Sequence, residues 1–186
     1  MKEYGTKLNG AEMNKQELEY FKPHWKPRWD DKKYSGWALL NKFKPTDTIL
    51  DIGCGDNPLK EKLGDRVYGI DPAGLGLTDE AVAIEDFKPK QKFNVFLCLG
   101  SINFGTTEEI ETQLDKITSL TETGDRSYWR QNTFGNDHPW HEESSKIRFF
   151  PWSRDKNQHY CNKYNYTLND IQDDAPNRLY AEWIKK

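Results

Sequence analysis

The run Ile49-Leu50-Asp51-Ile52-Gly53-Cys54-Gly55-Asp56-Asn57 takes a short apolar stretch straight into closely spaced glycines. Glycine reaches positive φ at little cost and lacks the Cβ that would hold a ligand away, so main chain can approach something closely at such a turn. A helix starting behind the turn would present unpaired N–H groups to the same place. Asp71 stands at the end of the next apolar run, 18 positions after Gly53, where a carboxylate can accept both hydroxyl hydrogens of a ribose. The two features together point to a nucleoside site at the carboxyl edge of a sheet. A pyridine-dinucleotide fingerprint asks for a third glycine where this chain has Pro58. Asp51, beside the turn, would repel a pyrophosphate and attract a cation such as the ammonium of an amino acid.

A second group with chemical potential is His138-Pro139-Trp140-His141-Glu142-Glu143. An imidazole titrates near neutrality and can serve as a general base, so His138 and His141 are the candidate catalytic residues. Pro139 restricts the backbone of His138 and makes it the favoured one of the two. The same residues could be read as metal ligands, but no further Cys or His lies at a familiar zinc spacing, and no metal site is expected. Cys54 and Cys98 have no basic neighbour in sequence to form a thiolate and read as small core fillers.

These residues need a frame. Thr48-Ile49-Leu50-Asp51-Ile52, Arg66-Val67-Tyr68-Gly69-Ile70 and a run over 93–99 read as strands, the last apolar enough to be buried on both faces. A weaker strand is expected over 81–84, and a short helix over 58–63. Thr106-x-x-Glu109 is a capping box, followed by Ile110, Leu114 and Ile117 at helical spacing. A strand over 127–131 leads into a polar, aromatic loop, then a helix over 151–163. Runs over 164–171 and 178–184 form an antiparallel pair. Ahead of all this, helices are expected over 11–21 and 30–43. Alternating strand and helix with a terminal hairpin means a doubly wound α/β sheet. The division is an N-terminal helical extension over 1–45, capping the site, and one α/β domain over 46–186.

Composition narrows the class. Net charge is only −3 with pI near 5.9, and 25 aromatic residues supply apolar area for a core. Residues 46–121 carry a net charge of −7, which argues against a nucleic-acid channel there. No apolar run approaches the roughly 18 residues that span a bilayer, and Met1-Lys2-Glu3-Tyr4 opens no signal-peptide pattern. Three dispersed cysteines without a C-x-x-C fit a reducing cytoplasm. Trp25, Trp29, Tyr34 and Trp37 either wall a ligand pocket, with Trp129 and Trp140 opposite, or pack the extension onto the sheet.

Asp51, Gly53 and Gly55 match the first motif of the class I S-adenosylmethionine-dependent methyltransferases, acidic-x-Gly-x-Gly-x-Gly, with Asn57 at the last glycine. Val67-Tyr68-Gly69-Ile70-Asp71 resembles that family's second strand with its ribose-binding acid. Lys92-Phe93-Asn94-Val95-Phe96-Leu97-Cys98-Leu99 is similar to its fourth strand. The resemblance covers about residues 46–131 and implies a mostly parallel, seven-stranded sheet ending in an antiparallel hairpin. It further implies S-adenosyl-L-methionine as cofactor, held by Asp51, Gly53, Cys54, Gly55, Asn57, Asp71 and Leu99, with the adenine at Ile84, Glu85 or Asp86. The activity implied is methyl transfer to oxygen or nitrogen of a small molecule, with Asn103, Trp129, Arg130 and Trp140 as acceptor-binding candidates. The alternatives are a protein or RNA methyltransferase, or a nucleoside-binding module without catalysis.

Overall fold

The computed structural model describes residues 34–134 and 147–186. Within them one six-stranded sheet runs in the order β2-β1-β3-β4-β6-β5, formed by β1 (Ile49–Ile52), β2 (Val67–Ile70), β3 (Val95–Leu99), β4 (Arg126–Asn132), β5 (Tyr166–Ala175) and β6 (Arg178–Lys185). The pairs β1–β2, β1–β3 and β3–β4 are parallel, while β4–β6 and β5–β6 are antiparallel. The hairpin turns at Pro176-Asn177, where Asn177 takes a left-handed φ of 61°. Asparagine tolerates that region better than most residues because its short amide can bond locally.

Two apolar layers cover the sheet. Leu50, Phe96, Cys98, Trp129 and Trp183 point to one face, where helices α2 (Thr107–Ser119) and α3 (Arg154–Lys163) supply Ile110, Leu114, Ile117, Tyr160 and Cys161. Ile49, Val95, Leu97 and Tyr128 point to the other, where Leu39 and Leu59, the latter from helix α1 (Pro58–Leu63), cover them. As the apolar run over 93–99 predicts, β3 is buried on both faces. The capping box forms: Thr106 Oγ1 accepts from the Glu109 N–H at 3.3 Å, and Glu109 Oε2 accepts from the Thr106 N–H at 2.7 Å. Helix α3 starts later than expected, at Arg154, because the Ser153 side chain caps it through the Lys156 N–H.

Three expectations need correction. Six strands stand among the described residues, not seven. The run expected as the outer strand over 81–84 is reduced to a single parallel bridge between Ile70 and Glu80, followed by a 3-10 turn at Ile84–Asp86. The cause is local: the N–H groups of Asp79 and Glu80 both go to the Gly69 carbonyl, and Asp79 Oδ2 accepts the Gly69 N–H at 2.9 Å. The free edge of β2 is thereby closed before Ala81 arrives. The second correction concerns the helix expected over 30–43, whose described part is a 3-10 helix, Ser35–Lys42. Three residues per turn align Tyr34, Trp37, Leu40 and Phe43, and all four pack on the apolar layer around Leu39. The third is that the strand pair at the end runs longer than expected, β5 through Ala175 and β6 through Lys185. The helix expected over 11–21 lies outside the described residues.

Candidate functional site

Each parallel strand delivers one piece of the site at its carboxyl end. Ile49 packs on the layer around Leu39, so by the alternation of a strand Asp51, two residues on, faces the 3-10 helix Ser35–Lys42 rather than α2. Behind β1 the main chain turns through left-handed conformations at Gly53 (φ 68°), Gly55 (φ 56°) and Asn57 (φ 56°). A side chain at Gly53 would collide, since its Cβ would lie 2.3 Å from Ser101 Cβ. The carbonyl of Ile70 at the end of β2 accepts two N–H groups of the turn, from Gly53 at 2.8 Å and Cys54 at 3.1 Å. The turn is thus tied to β2 before any ligand is considered.

Asp71 completes that tie. Its Oδ2 accepts from the Gly55 N–H at 3.0 Å and its Oδ1 from the Ala73 N–H at 2.8 Å. Each oxygen keeps acceptor capacity beyond one N–H, since a carboxylate offers about four lone-pair sites. Residues 74–79 fold back across the same turn. Thr78 donates to the Gly55 carbonyl at 2.9 Å, and Asn57 Nδ2 donates to the Leu77 carbonyl at 3.1 Å. Asn57 therefore does more than tolerate left-handed backbone: its amide anchors the returning segment. A side chain at Gly69 would strike that amide, with 2.3 Å between a Cβ there and Asn57 Nδ2.

Asp51 is 1% exposed. Among the described residues its hydrogen bond comes from the Tyr34 hydroxyl, which donates to Oδ2 over a long 3.5 Å. Burial pushes the Asp51 carboxyl up to about 7, opposed by the Tyr34 hydrogen bond and assisted by the negative charge of Asp71. A buried carboxylate held this loosely is short of compensating partners, and a cation beside it would supply one. The Cys54 thiol is pushed well up by burial and by Asp51, and lies 3.6 Å from Thr78 Oγ1. Cys98 is also buried and pushed up. Both stay protonated, which suits packing and not nucleophilic attack.

The remaining sequence-derived candidates fall in different places. Leu99 is half-buried at the end of β3, followed by Gly100 at φ 106° with open space where a Cβ would stand. Ile84 is buried in the core, Glu85 Oε1 accepts from Gln113 Nε2 of α2 at 2.8 Å, and Asp86 is exposed. Asn103 is fully buried and engaged with β4: its Oδ1 accepts the Asn132 N–H at 3.1 Å and its Nδ2 donates to the Arg130 carbonyl at 3.3 Å. Trp129 lies in the core against Trp183, with ring centroids 4.4 Å apart. Arg130 is partly exposed and paired with Asp174, Nε to Oδ2 at 2.5 Å. His138, Trp140 and His141 lie outside the described residues.

Two contacts of the site escape a reading of the sequence. Ser101 closes over Gly53, and its Oγ is buried without a hydrogen-bond partner among the described residues. A small polar residue two positions beyond a strand buried on both faces was the available signal. Tyr34 reaches Asp51 from 17 positions away, a contact no local pattern announces. The pieces that come together are an acid facing a cation-sized need, a turn open to close approach, a second acid with spare acceptor capacity and an orphaned hydroxyl. This set fits the amino-acid and ribose ends of a nucleoside ligand.

No protein-family model and no curated protein matches the sequence. Among solved structures, the chain is similar to a Burkholderia thailandensis 1,6-didemethyltoxoflavin-N1-methyltransferase with bound 1,6-didemethyltoxoflavin and S-adenosylhomocysteine, at 13% identity over 98% of this chain and 92% of that one, with a TM-score of 0.76. It is similar to DhpI in complex with S-adenosylhomocysteine, at 12% identity, 95% and 98% coverage and a TM-score of 0.67. It is also similar to the magnesium protoporphyrin IX methyltransferase of Synechocystis PCC 6803 with bound S-adenosylmethionine, at 12% identity, 98% and 86% coverage and a TM-score of 0.58. Likeness at such identities shows the fold, and the fold is that of the class I S-adenosylmethionine-dependent methyltransferases.

Proposed function

We propose that this chain, built on that fold, binds S-adenosyl-L-methionine and transfers its methyl group to an oxygen or nitrogen of a small molecule. The observation that carries the reading is the pairing of Asp71 with the Gly53–Asn57 turn, where one carboxylate ties the turn to β2 and keeps acceptor capacity for ribose hydroxyls. Asp51 faces the ligand's ammonium, and the backbone of Gly53, Cys54 and Gly55 lies against its amino-acid part. Leu99 and Ser101 border the ligand from the end of β3. The adenine belongs beside Ile84–Asp86, with Ile84 as the apolar contact and Asp86 as the acid still unpaired with α2.

Bound there, the cofactor supplies a methyl group on a sulfonium, so that attack by the acceptor breaks a carbon–sulfur bond and leaves a neutral thioether. The protein's part is to position the acceptor and, where the acceptor atom carries a proton, to take it away. His138, with His141 as the second candidate, is the proposed base, and Trp140 with Arg130 the proposed acceptor contacts. Residues 1–45 are the proposed cap over the site. A small acceptor is favoured because structural neighbours that span nearly their whole length on this chain act on didemethyltoxoflavin and a magnesium porphyrin. The test is transfer of tritiated methyl into a cell extract followed by size fractionation. Label in the small-molecule fraction is expected; label confined to protein or RNA would overturn the acceptor class. In a defined assay, His138→Ala should lower kcat by about 10²–10⁴ with cofactor affinity unchanged.

A further inference from the structure

The 3-10 helix Ser35–Lys42 is an unusual element, because 3-10 geometry seldom persists beyond three or four residues. It persists here because it is fastened at both ends. At its last turn Lys42 Nζ donates to Glu182 Oε2 at 2.8 Å and to the Tyr180 hydroxyl at 3.0 Å, and lies over the Tyr180 ring. At its start Tyr34 meets Trp37 edge-on with centroids 5.0 Å apart. Its ring fills the space where a Cβ on Gly36 would stand, 2.2 Å away. The ring so fixed sends its hydroxyl to Asp51 Oδ2. The helix is therefore a strap that runs from β6 to the acid at the end of β1, where Tyr34 contacts a group assigned to the ligand.

We infer that Tyr34 is a positioning residue: its hydroxyl holds one oxygen of Asp51 in place, so that the carboxylate meets the ammonium of the ligand in a fixed orientation and in its ionised form. The inference rests on the cofactor reading above. Tyr34 keeps the proton it donates, since burial first and the charge of Asp51 second push its hydroxyl well above the ordinary tyrosine range. The titratable groups facing Asp51 among the described residues are Tyr34 from the strap, Asp71 from the end of β2, Cys54 from the turn and Cys98 from β3. Both thiols stay neutral, so Tyr34 is the described group that favours the charged form. Ammonium binding needs that form. Below about pH 7 the free protein carries Asp51 protonated, and binding must expel a proton, so affinity falls as pH drops. Removing the Tyr34 hydroxyl raises the pH at which that fall begins.

The experiment is calorimetric titration of the full chain with S-adenosylhomocysteine at pH 6 and pH 8, for wild type, Tyr34→Phe, Asp51→Asn and the double variant. Wild type is expected to bind more weakly at pH 6. Tyr34→Phe should lose a further factor of about three to ten at pH 6 and about twofold or less at pH 8. Asp51→Asn, having no proton to lose, should bind more weakly than wild type without that pH dependence, and adding Tyr34→Phe to it should change little. Equal loss at both pH values, or none, would make Tyr34 a packing residue and overturn the inference while the cofactor reading stands. Absence of binding by wild type at both pH values would instead overturn the cofactor reading itself.

Discussion

Asp71 holds two loops with one side chain, and its removal therefore has two separable effects. Asp71→Ala deletes the acceptors for the Gly55 and Ala73 N–H groups and, in the proposed complex, both ribose contacts. Hydrogen bonds to a charged group contribute about 1.5–3 kcal/mol each. Affinity for S-adenosylhomocysteine should fall at least tenfold by calorimetry, and thermal unfolding of the ligand-free protein should move down by several degrees. Unchanged affinity would place the ribose elsewhere. Asp71→Asn separates the effects, since an amide oxygen can still accept one loop N–H but offers a weaker, uncharged acceptor to the ribose. At the same scale, Ser101→Ala tests the orphaned hydroxyl over Gly53. It removes a buried polar atom without a partner, so the ligand-free protein should be as stable or slightly more stable, and any loss of affinity reports a contact with the ligand.

The strap, the glycine turn and the returning segment 74–79 are the elements that set the site, and they differ in how visible they are in the sequence. Strands β1 to β3 are legible because a continuous apolar run ending in glycine or Asp has few alternatives in an α/β chain. The capping box at Thr106 announces α2 for a similar local reason. The 3-10 strap is written in the strict three-residue spacing of Tyr34, Trp37, Leu40 and Phe43, which passes for an α-helical stripe unless the spacing of four is looked for and missed. The outer strand failed because Ala81-Val82-Ala83-Ile84 has strand-like composition, while the carbonyl it would pair with is already taken by Asp79 and Glu80. In the site, Asp51, Gly53, Gly55 and Asp71 follow from local pattern. The Tyr34–Asp51 and Glu85–Gln113 contacts depend on packing between distant elements and have no local signature. The strap's far anchor gives a prediction of its own. Lys42→Met strands Glu182, which is 8% exposed, but Lys42 is 40% exposed and its ion pair partly screened. A loss of about 1–2 kcal/mol in urea denaturation is expected, larger than an exposed pair would give.

Across the whole molecule the buried acid at the end of β1 makes stability depend on pH. The Asp51 carboxyl is pushed to about 7 by burial, against about 3.9 in an unfolded chain. Between these values the folded state holds a proton that the unfolded state has released. This group's contribution is therefore fully present below about pH 4 and lost as pH rises to 7. Relative to Asp51→Asn, the wild type should lose about 2–3 kcal/mol of unfolding free energy between pH 5 and pH 7, with little further change above. A difference that stays constant over this range would place an ionised, well-compensated carboxylate at Asp51. Among the described residues no helix is long and apolar enough to cross a membrane. The same acid is what the proposed ligand compensates, and this links stability to cofactor binding. Cofactor binding is read most directly by titrating the ligand-free protein at pH 8, in parallel, with S-adenosylhomocysteine and with NAD. Saturable one-to-one binding of S-adenosylhomocysteine and none of NAD is the predicted result. Binding of NAD without S-adenosylhomocysteine would contradict it.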